Sequence, residues 1–295
     1  MYKPKNIRLA FALISSVVIA SCSSTDMQTK KPEVLENTLL IQAVTSRTAD
    51  EQARDQYRHP VETIAFFQIE PGMTVAEALP GGGWYSKILV NYLGSEANFY
   101  GVNYVDDMWA RFGFFSPERI EERKAATTGF NGMIDEITDN GINTKGFTFD
   151  TAPSDIAGTV DRVLFIRALH NLNRFEAEAG TLTTALKTTH AMLKDDGLVG
   201  VVQHRVSENA DEMGANGGRG YLKESAVKAA FIAAGFELVA SSDINANPKD
   251  QPLPKDIVWR LPPSLNGVGD DESKKQAMLA IGESDRMTLL FKKAD

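Results

Sequence analysis

The chain of 295 residues contains one cysteine, Cys22, and four histidines. A lone cysteine excludes an intramolecular disulfide and any cysteine-rich metal cluster. The histidines follow no HExxH-like or other recognised ligand spacing, so no metal site is expected. No apolar run reaches the roughly 20 residues that a membrane-spanning helix needs, and no segment repeats. Lys and Arg (31) are outnumbered by Asp and Glu (39), for a formal net charge of −8. Without clustered basic residues to neutralise phosphates, nucleic acid is not an expected partner. The acidity reads as solubility.

What is present begins with "MYKPKNIRLAFALISSVVIASC", in which Lys3, Lys5 and Arg8 precede a short apolar run over residues 9–20 and small residues before Cys22. This is the layout of a secretory signal peptide, and its Ile-Ala-Ser-Cys end resembles a bacterial lipobox. The expectation is an exported lipoprotein on the periplasmic side of the bacterial envelope, bound to the membrane through a lipid anchor at Cys22. Ser23 beside the cysteine, rather than Asp, favours the outer membrane. Residues 1–21 are then a signal peptide, 22–48 a tether and the start of an N-terminal helix, and 49–295 one α/β domain. With 43 % hydrophobic residues the chain can bury a core of that size.

Residues 34–69 carry a helical pattern in two pieces, broken at His59-Pro60, because proline disfavours helix in the residue before it. Strand and helix patterns then alternate. "MTVAEAL" is a first strand, followed by a glycine run and by "WYSKILVNYL", with apolar residues at helical spacing. "NFYGVNY" is a second strand, and residues 107–138 are mixed helical. "GFTFD", the doubly buried "VDRVLFIRAL" and "GLVGVVQH" follow as strands, the last after a helix bearing Leu182, Ala185, Leu186, Thr189 and Leu193. A helix over "ESAVKAAFIAAGF" stops at Gly235, and "ELVASSDI" and "RMTLLFKK" close the chain as strands. This succession predicts a doubly wound, mostly parallel, seven-stranded sheet with helices on both faces and an N-terminal helical extension. The polar, proline-bearing residues 245–285 read either as a surface excursion near the ligand end of the sheet or as a disordered stretch.

In such a sheet the ligand crevice lies beyond the C-terminal ends of the strands. The first strand runs through Glu77 into Pro80, Gly81, Gly82 and Gly83, where missing Cβ atoms let a ligand approach the backbone and the amides of a helix N-terminus. The spacing from Gly81 through Gly83 to Ser86 approximates a dinucleotide fingerprint with Ser in the last place. Glu77 is a feature that a dinucleotide site does not require and that a cofactor with an ammonium group would use. Trp84 and Tyr85 are either core residues or an aromatic wall. Asn103 and Tyr104 end the second strand, with Asp106 and Asp107 as ribose contacts or helix caps. Asp150 and Thr151 end the third, Arg167, His170 and Asn171 the fourth, and His204 and Arg205 the fifth.

"VAEALPGGGWYSKIL" resembles motif I of the class I S-adenosylmethionine-dependent methyltransferases, and more closely an exported bacterial group of predicted methyltransferases with a Glu-x-x-Pro-Gly-x-Gly-Trp-Tyr loop. "RDQYRHPVETIAFFQIEPGMTVAE", "IRALHNL", "LKDDGLVGVVQHR" and "GESDRMTLLFKK" are similar to the same group, over roughly residues 50–295. The resemblance implies a Rossmann-like methyltransferase fold with S-adenosylmethionine as cofactor. Glu77 and the amides of Gly81, Gly82 and Gly83 would hold its amino-acid part, the second-strand end its ribose, and Asp150 and Thr151 its adenine edge. Three features depart from the usual pattern: Leu79-Pro80 replaces a small residue, Asn103 stands where an acidic residue is usual, and "LKDDG" replaces the common Pro-Gly turn. Methyl transfer needs alignment and sometimes a base. His170, His204 and His59 are candidate bases or positioning groups, and Arg167 and Arg205 candidate anion clamps. The expected activity is methyl transfer to a small molecule or envelope component. The alternative is a lipid-anchored, periplasmic ligand-binding protein on the same fold without that activity.

Overall fold

The computed structural model describes residues 38–295. The expected signal peptide, Cys22 and most of the tether lie outside the described residues. Among the described residues no helix is long and apolar enough to cross a membrane.

Eight strands form one sheet: β1 Thr74–Ala78, β2 Asn98–Asn103, β3 Asn143–Thr148, β4 Val160–Ile166, β5 Leu193–Val206, β6 Leu222–Lys223, β7 Phe236–Ser242 and β8 Arg286–Lys293. Their spatial order is β3-β2-β1-β4-β5-β8-β7, with the two-residue β6 paired to the end of β5. The first five are mutually parallel, and β8 runs antiparallel to both β5 and β7. The sheet therefore has one strand more than its sequence pattern predicts, because two residues carry no periodicity to detect.

The central strands are apolar for a physical reason. β1 is buried at all five positions, and β4 at all but Asp161, since helices cover both faces. Alternate residues point to opposite faces, so Val75, Phe99 and Leu164 enter one apolar cluster while Ala76, Tyr100 and Val163 enter the other. The first cluster takes Leu40, Ile64 and Phe67 from the N-terminal helices and Ile88 and Leu89 from the helix Ser86–Leu93. The second takes Leu182, Ala185 and Leu186 from the helix Thr181–Met192, and Phe231 from Glu224–Ala233. Close approach of helix to sheet requires glycine at Gly101, where a Cβ would stand 2.6 Å from the Phe130 ring.

The N-terminal extension breaks at His59 as the sequence predicts. His59 is left-handed (φ 43°), and Pro60 opens the helix Pro60–Phe66. It breaks further upstream as well, into Thr38–Thr45, Ala49–Gln52 and Asp55–Arg58. Thr48 and Glu51 form a reciprocal capping box that starts the second piece. Residues 245–285 form a surface excursion packed against the sheet end, the first of the two readings of this stretch. Their anchor is Asp250, whose side chain is fully buried and accepts from Arg260 Nη2 at 2.7 Å and from Tyr221 OH at 3.1 Å. The segment also carries the helix Glu272–Ile281.

The parallel register sets Ala78 beside Val102 on one side and Phe165 on the other, so β1, β2 and β4 end level with one another. The chain leaves β1 towards β2 and β3, whereas β4 and β5 build outwards on the other side. The boundary between β1 and β4 is the topological switch point, where an open α/β sheet forms its crevice.

Candidate functional site

Both strands at the switch point end in a strained residue. Leu79 after β1 has φ 56° and Arg167 after β4 has φ 59°, a left-handed conformation that costs a non-glycine residue on the order of 1–3 kcal/mol. Each is held by a backbone bond to the adjacent strand, Leu79 N to Val102 O at 2.7 Å and Arg167 N to Val202 O at 2.6 Å. Beyond Leu79 the chain turns tightly, with Gly83 N donating to Pro80 O at 2.9 Å. Gly81 (φ 59°) and Gly83 (φ 73°) supply left-handed conformations that side chains resist. A Cβ on Gly82 would meet nothing within 4 Å, and one on Gly81 only Leu79 O at 3.8 Å. The turn is thus an open cradle.

Above it lies a cavity of about 990 Å³. Leu79, Pro80 and Gly81 form one wall, Asn103 and Tyr104 a second, and Arg167 and Asn171 a third. Asn171 Nδ2 donates to Tyr104 OH at 2.9 Å, which ties the end of β2 to the helix Leu169–Arg174 after β4. Asn103 Oδ1 accepts from Tyr104 N at 2.9 Å, which fixes the side chain at the cavity edge. Trp109, Phe112, Phe114 and Phe115 make an aromatic wall, with Trp109 and Phe115 edge to face at 5.8 Å. Met133 and Phe130 close another side, and Trp259 and Asn266 reach in from residues 245–285.

Of the residues singled out in the sequence, Leu79, Pro80, Gly81, Asn103, Tyr104, Arg167 and Asn171 come together around this cavity. The others stand elsewhere. Glu77 is buried beneath the turn, where its carboxylate accepts from Ser86 Oγ at 2.6 Å. Burial pushes its pKa up to about 7, against the opposing pull of the Ser86 hydrogen bond and of Arg167. Gly82 and Gly83 continue the turn outside the lining. Trp84 faces the N-terminal helices, lies under the guanidinium groups of Arg47 (4.7 Å) and Arg58 (4.3 Å), and donates Nε1 to Glu51 O at 3.1 Å. Tyr85 is buried and donates to Arg58 O at 3.2 Å. Asp150 and Thr151 close a local turn on Thr148. Asp107 is exposed and pairs with Arg111.

His170 and His204 lie side by side, ring centroids 5.5 Å apart, and both are buried behind the cavity wall. The backbone N–H of His170 donates to Gln203 Oε1 at 3.3 Å, and Nδ1 of His204 is 2.6 Å from Ser284 Oγ. Burial drives the His170 pKa down to about 4, with Arg167 adding to it against the Gln203 bond. Burial, then His170 and Arg167, hold His204 well below its ordinary value. Both imidazoles are therefore neutral near pH 7. His59 sits half-buried at the helix break, off the cavity. Arg205 is neutralised by Asp285 at 2.8 Å and Glu224 at 3.0 Å, so its charge is already spoken for. The aromatic wall escaped the sequence reading, although Trp109, Phe112, Phe114 and Phe115 crowd into seven residues of a chain only 8 % aromatic. That local density was the available signal.

No family model matches the chain, and no curated protein matches it. Solved structures do share its fold. The cyclase SpnF is 13 % identical with a TM-score of 0.51, over 87 % of this chain and 92 % of that one. The 1,6-didemethyltoxoflavin-N1-methyltransferase of Burkholderia thailandensis, solved with 1,6-didemethyltoxoflavin and S-adenosylhomocysteine bound, is 14 % identical with a TM-score of 0.46, over 89 % and 88 %. An S-adenosylmethionine-dependent methyltransferase of Aquifex aeolicus is 14 % identical with a TM-score of 0.44, over 70 % and 93 %. At these identities the likeness is one of fold. The chain has a Rossmann-like, mostly parallel α/β fold.

The residues present fit a nucleoside-bearing cofactor. The turn at Gly81 leaves open space beside its backbone for a ligand, and polar Asn103 lines the cavity at the β2 end, where a ribose would lie. Glu77 is committed to Ser86 and does not line the cavity, so the ammonium contact implied by the resemblance is not preformed.

Proposed function

We propose that the chain is an S-adenosylmethionine-dependent methyltransferase acting on a small-molecule or envelope substrate, carried to the periplasmic face of the bacterial envelope by its leader and held there through Cys22. The observation that carries this reading is the open glycine cradle at the switch point, facing a cavity with Asn103 on its second wall. The cofactor supplies a methyl group on a sulfonium, already activated for transfer. The chain's own residues then need chiefly to hold donor and acceptor in line. Gly81 and Asn103 position the cofactor, while Tyr104, Asn171 and the aromatic wall shape the acceptor side and exclude water. Burial raises the Tyr104 pKa, which keeps its hydroxyl neutral as a hydrogen-bonding group.

A second reading, a lipid-anchored ligand-binding protein without methyl transfer, is favoured by the sequestration of Glu77 beneath the turn. Calorimetric titration of the purified chain with S-adenosylmethionine, S-adenosylhomocysteine and NAD tests the first reading. Binding of both sulfur compounds and not of NAD is expected. A folded chain that binds neither overturns it, and binding without transfer of labelled methyl to any component of an envelope extract supports the second.

A further inference from the structure

The charge on the cavity wall is opposite in sign to that of the chain. Arg123, Arg167 and Arg174 line it and Glu136 is the single carboxylate among the lining residues, in a protein of net charge −8. Most described arginines elsewhere are ion-paired, among them Arg47 with Asp55, Arg205 with Asp285, Arg260 with Asp250 and Arg286 with Glu283; Arg162 instead donates to backbone carbonyls, and Arg219 is unpaired. None of the three cavity arginines makes an ion pair with any described residue. The buried Nε atoms of Arg123 and Arg167 also lack a hydrogen-bond partner. An orphaned buried donor on a cation is costly. Behind Arg167 the excess deepens, because Arg54, Arg58 and Arg286 share one carboxylate, Glu283. The neighbouring His170 and His204 add no charge near pH 7. Arg167 is, moreover, the strained residue that ends β4.

S-adenosylmethionine does not account for this charge. Its sulfonium and ammonium outweigh its carboxylate, so it enters a positive cavity as a cation. A second, anionic occupant does account for it. Beside the arginines stands a wall of rings: Arg123 lies 5.8 Å over Trp109, and Arg174, at the exposed rim, 5.8 Å over Phe112. Such a wall takes a flat apolar group. We propose that the acceptor is an oxyanion-bearing aromatic molecule, its carboxylate or equivalent group on Arg167 and its ring against Trp109 and Phe112. This rests on the preceding reading that the cavity is the site of methyl transfer.

The test is equilibrium binding of naphthoate and of its neutral isostere naphthalenemethanol to the full chain, by calorimetry and by quenching of tryptophan fluorescence. Naphthoate should bind at least about tenfold more tightly than the alcohol, as a charge-assisted bond to a guanidinium implies. Arg167→Met should abolish that preference and Arg167→Lys should keep part of it, whereas Phe112→Ala should weaken both ligands alike. Equal affinities, no binding of either, or a preference that survives Arg167→Met overturns the proposal. If Arg167→Met does not fold, the wild-type comparison and Arg123→Met decide. Binding of S-adenosylhomocysteine is measured separately. Its retention when naphthoate fails refutes this inference alone, and its absence when naphthoate is preferred refutes the methyltransferase reading, and with it the acceptor role, while leaving the oxyanion site beside the aromatic wall.

Discussion

Replacing Glu77 with glutamine should stabilise the chain at alkaline pH and have little effect in acid. The carboxyl is 4 % exposed and has one hydrogen-bond partner, Ser86. Its folded pKa is about 7 against 4.5 for the free group. A raised carboxyl pKa means that the folded state holds the proton over a range where the unfolded chain has lost it. Stability therefore falls as pH rises from 4.5 to 7 and stays lower above that. At 1.36 kcal/mol per unit, the shift costs about 3 kcal/mol at pH 8. Glutamine is neutral at every pH and can still accept the Ser86 proton, so Glu77→Gln should recover most of that amount at pH 8 and almost none at pH 4.5. His170 works in the opposite direction. Its pKa, lowered to about 4, contributes stability that is complete above pH 6.5 and is lost as pH falls towards 4. His204, also held well below its ordinary value, adds to that slope, so in the wild type Glu77 opposes a combined histidine slope between pH 4.5 and 6.5, and the glutamine variant should reveal the histidine slope alone. Urea unfolding of both proteins from pH 4.5 to 8 measures the difference. A gap that does not widen with pH, or a wild type that is the more stable at pH 8, would show that Arg167 compensates the Glu77 charge and would refute the reasoning.

Arg260→Met removes the cation from the fully buried Asp250 and should cost roughly 3–5 kcal/mol, or about 10 °C in melting temperature. Protease cleavage within residues 245–285 should rise with it, and an unchanged melt would show that Tyr221 alone holds the segment. Gly101→Ala drives a methyl group into the Phe130 ring and should cost about 1–3 kcal/mol by denaturant titration. An unaffected midpoint would mean that the helix Phe130–Asp135 yields freely. Cys22→Ala should release the chain from the membrane fraction, and retention of the variant there would contradict the lipid anchor.

The centre of the sheet was legible because its strands are buried on both faces and therefore largely apolar, as in the Val163, Leu164, Phe165, Ile166 run of β4. The glycine turn was legible because only glycine adopts the conformations found at Gly81 and Gly83 at no steric cost. What the sequence could not convey was the direction of each side chain. Glu77 precedes a ligand turn, yet its carboxylate goes under that turn to Ser86. Trp84 stands just before the helix Ser86–Leu93 at the crevice, yet its ring is captured by Arg47 and Arg58 from the N-terminal extension. His170 and His204 stand at strand ends and still lie behind the wall. The packing of residues 245–285 depends on Asp250, Arg260 and Tyr221, which are far apart in any local window. The sequence suggested that this segment lies near the ligand end of the sheet, but not that Trp259 and Asn266 are the residues that reach the cavity.

The central claim is that the cavity over the glycine turn holds the cofactor. Calorimetric binding of S-adenosylhomocysteine by the wild type and by Gly81→Val tests it most directly. Valine at φ 59° fills the cradle and strains the turn by on the order of 1–3 kcal/mol, so its folding is checked by its melting curve. The account predicts binding by the wild type and its loss in the folded variant. Equal binding by both proteins would place the cofactor elsewhere and contradict it.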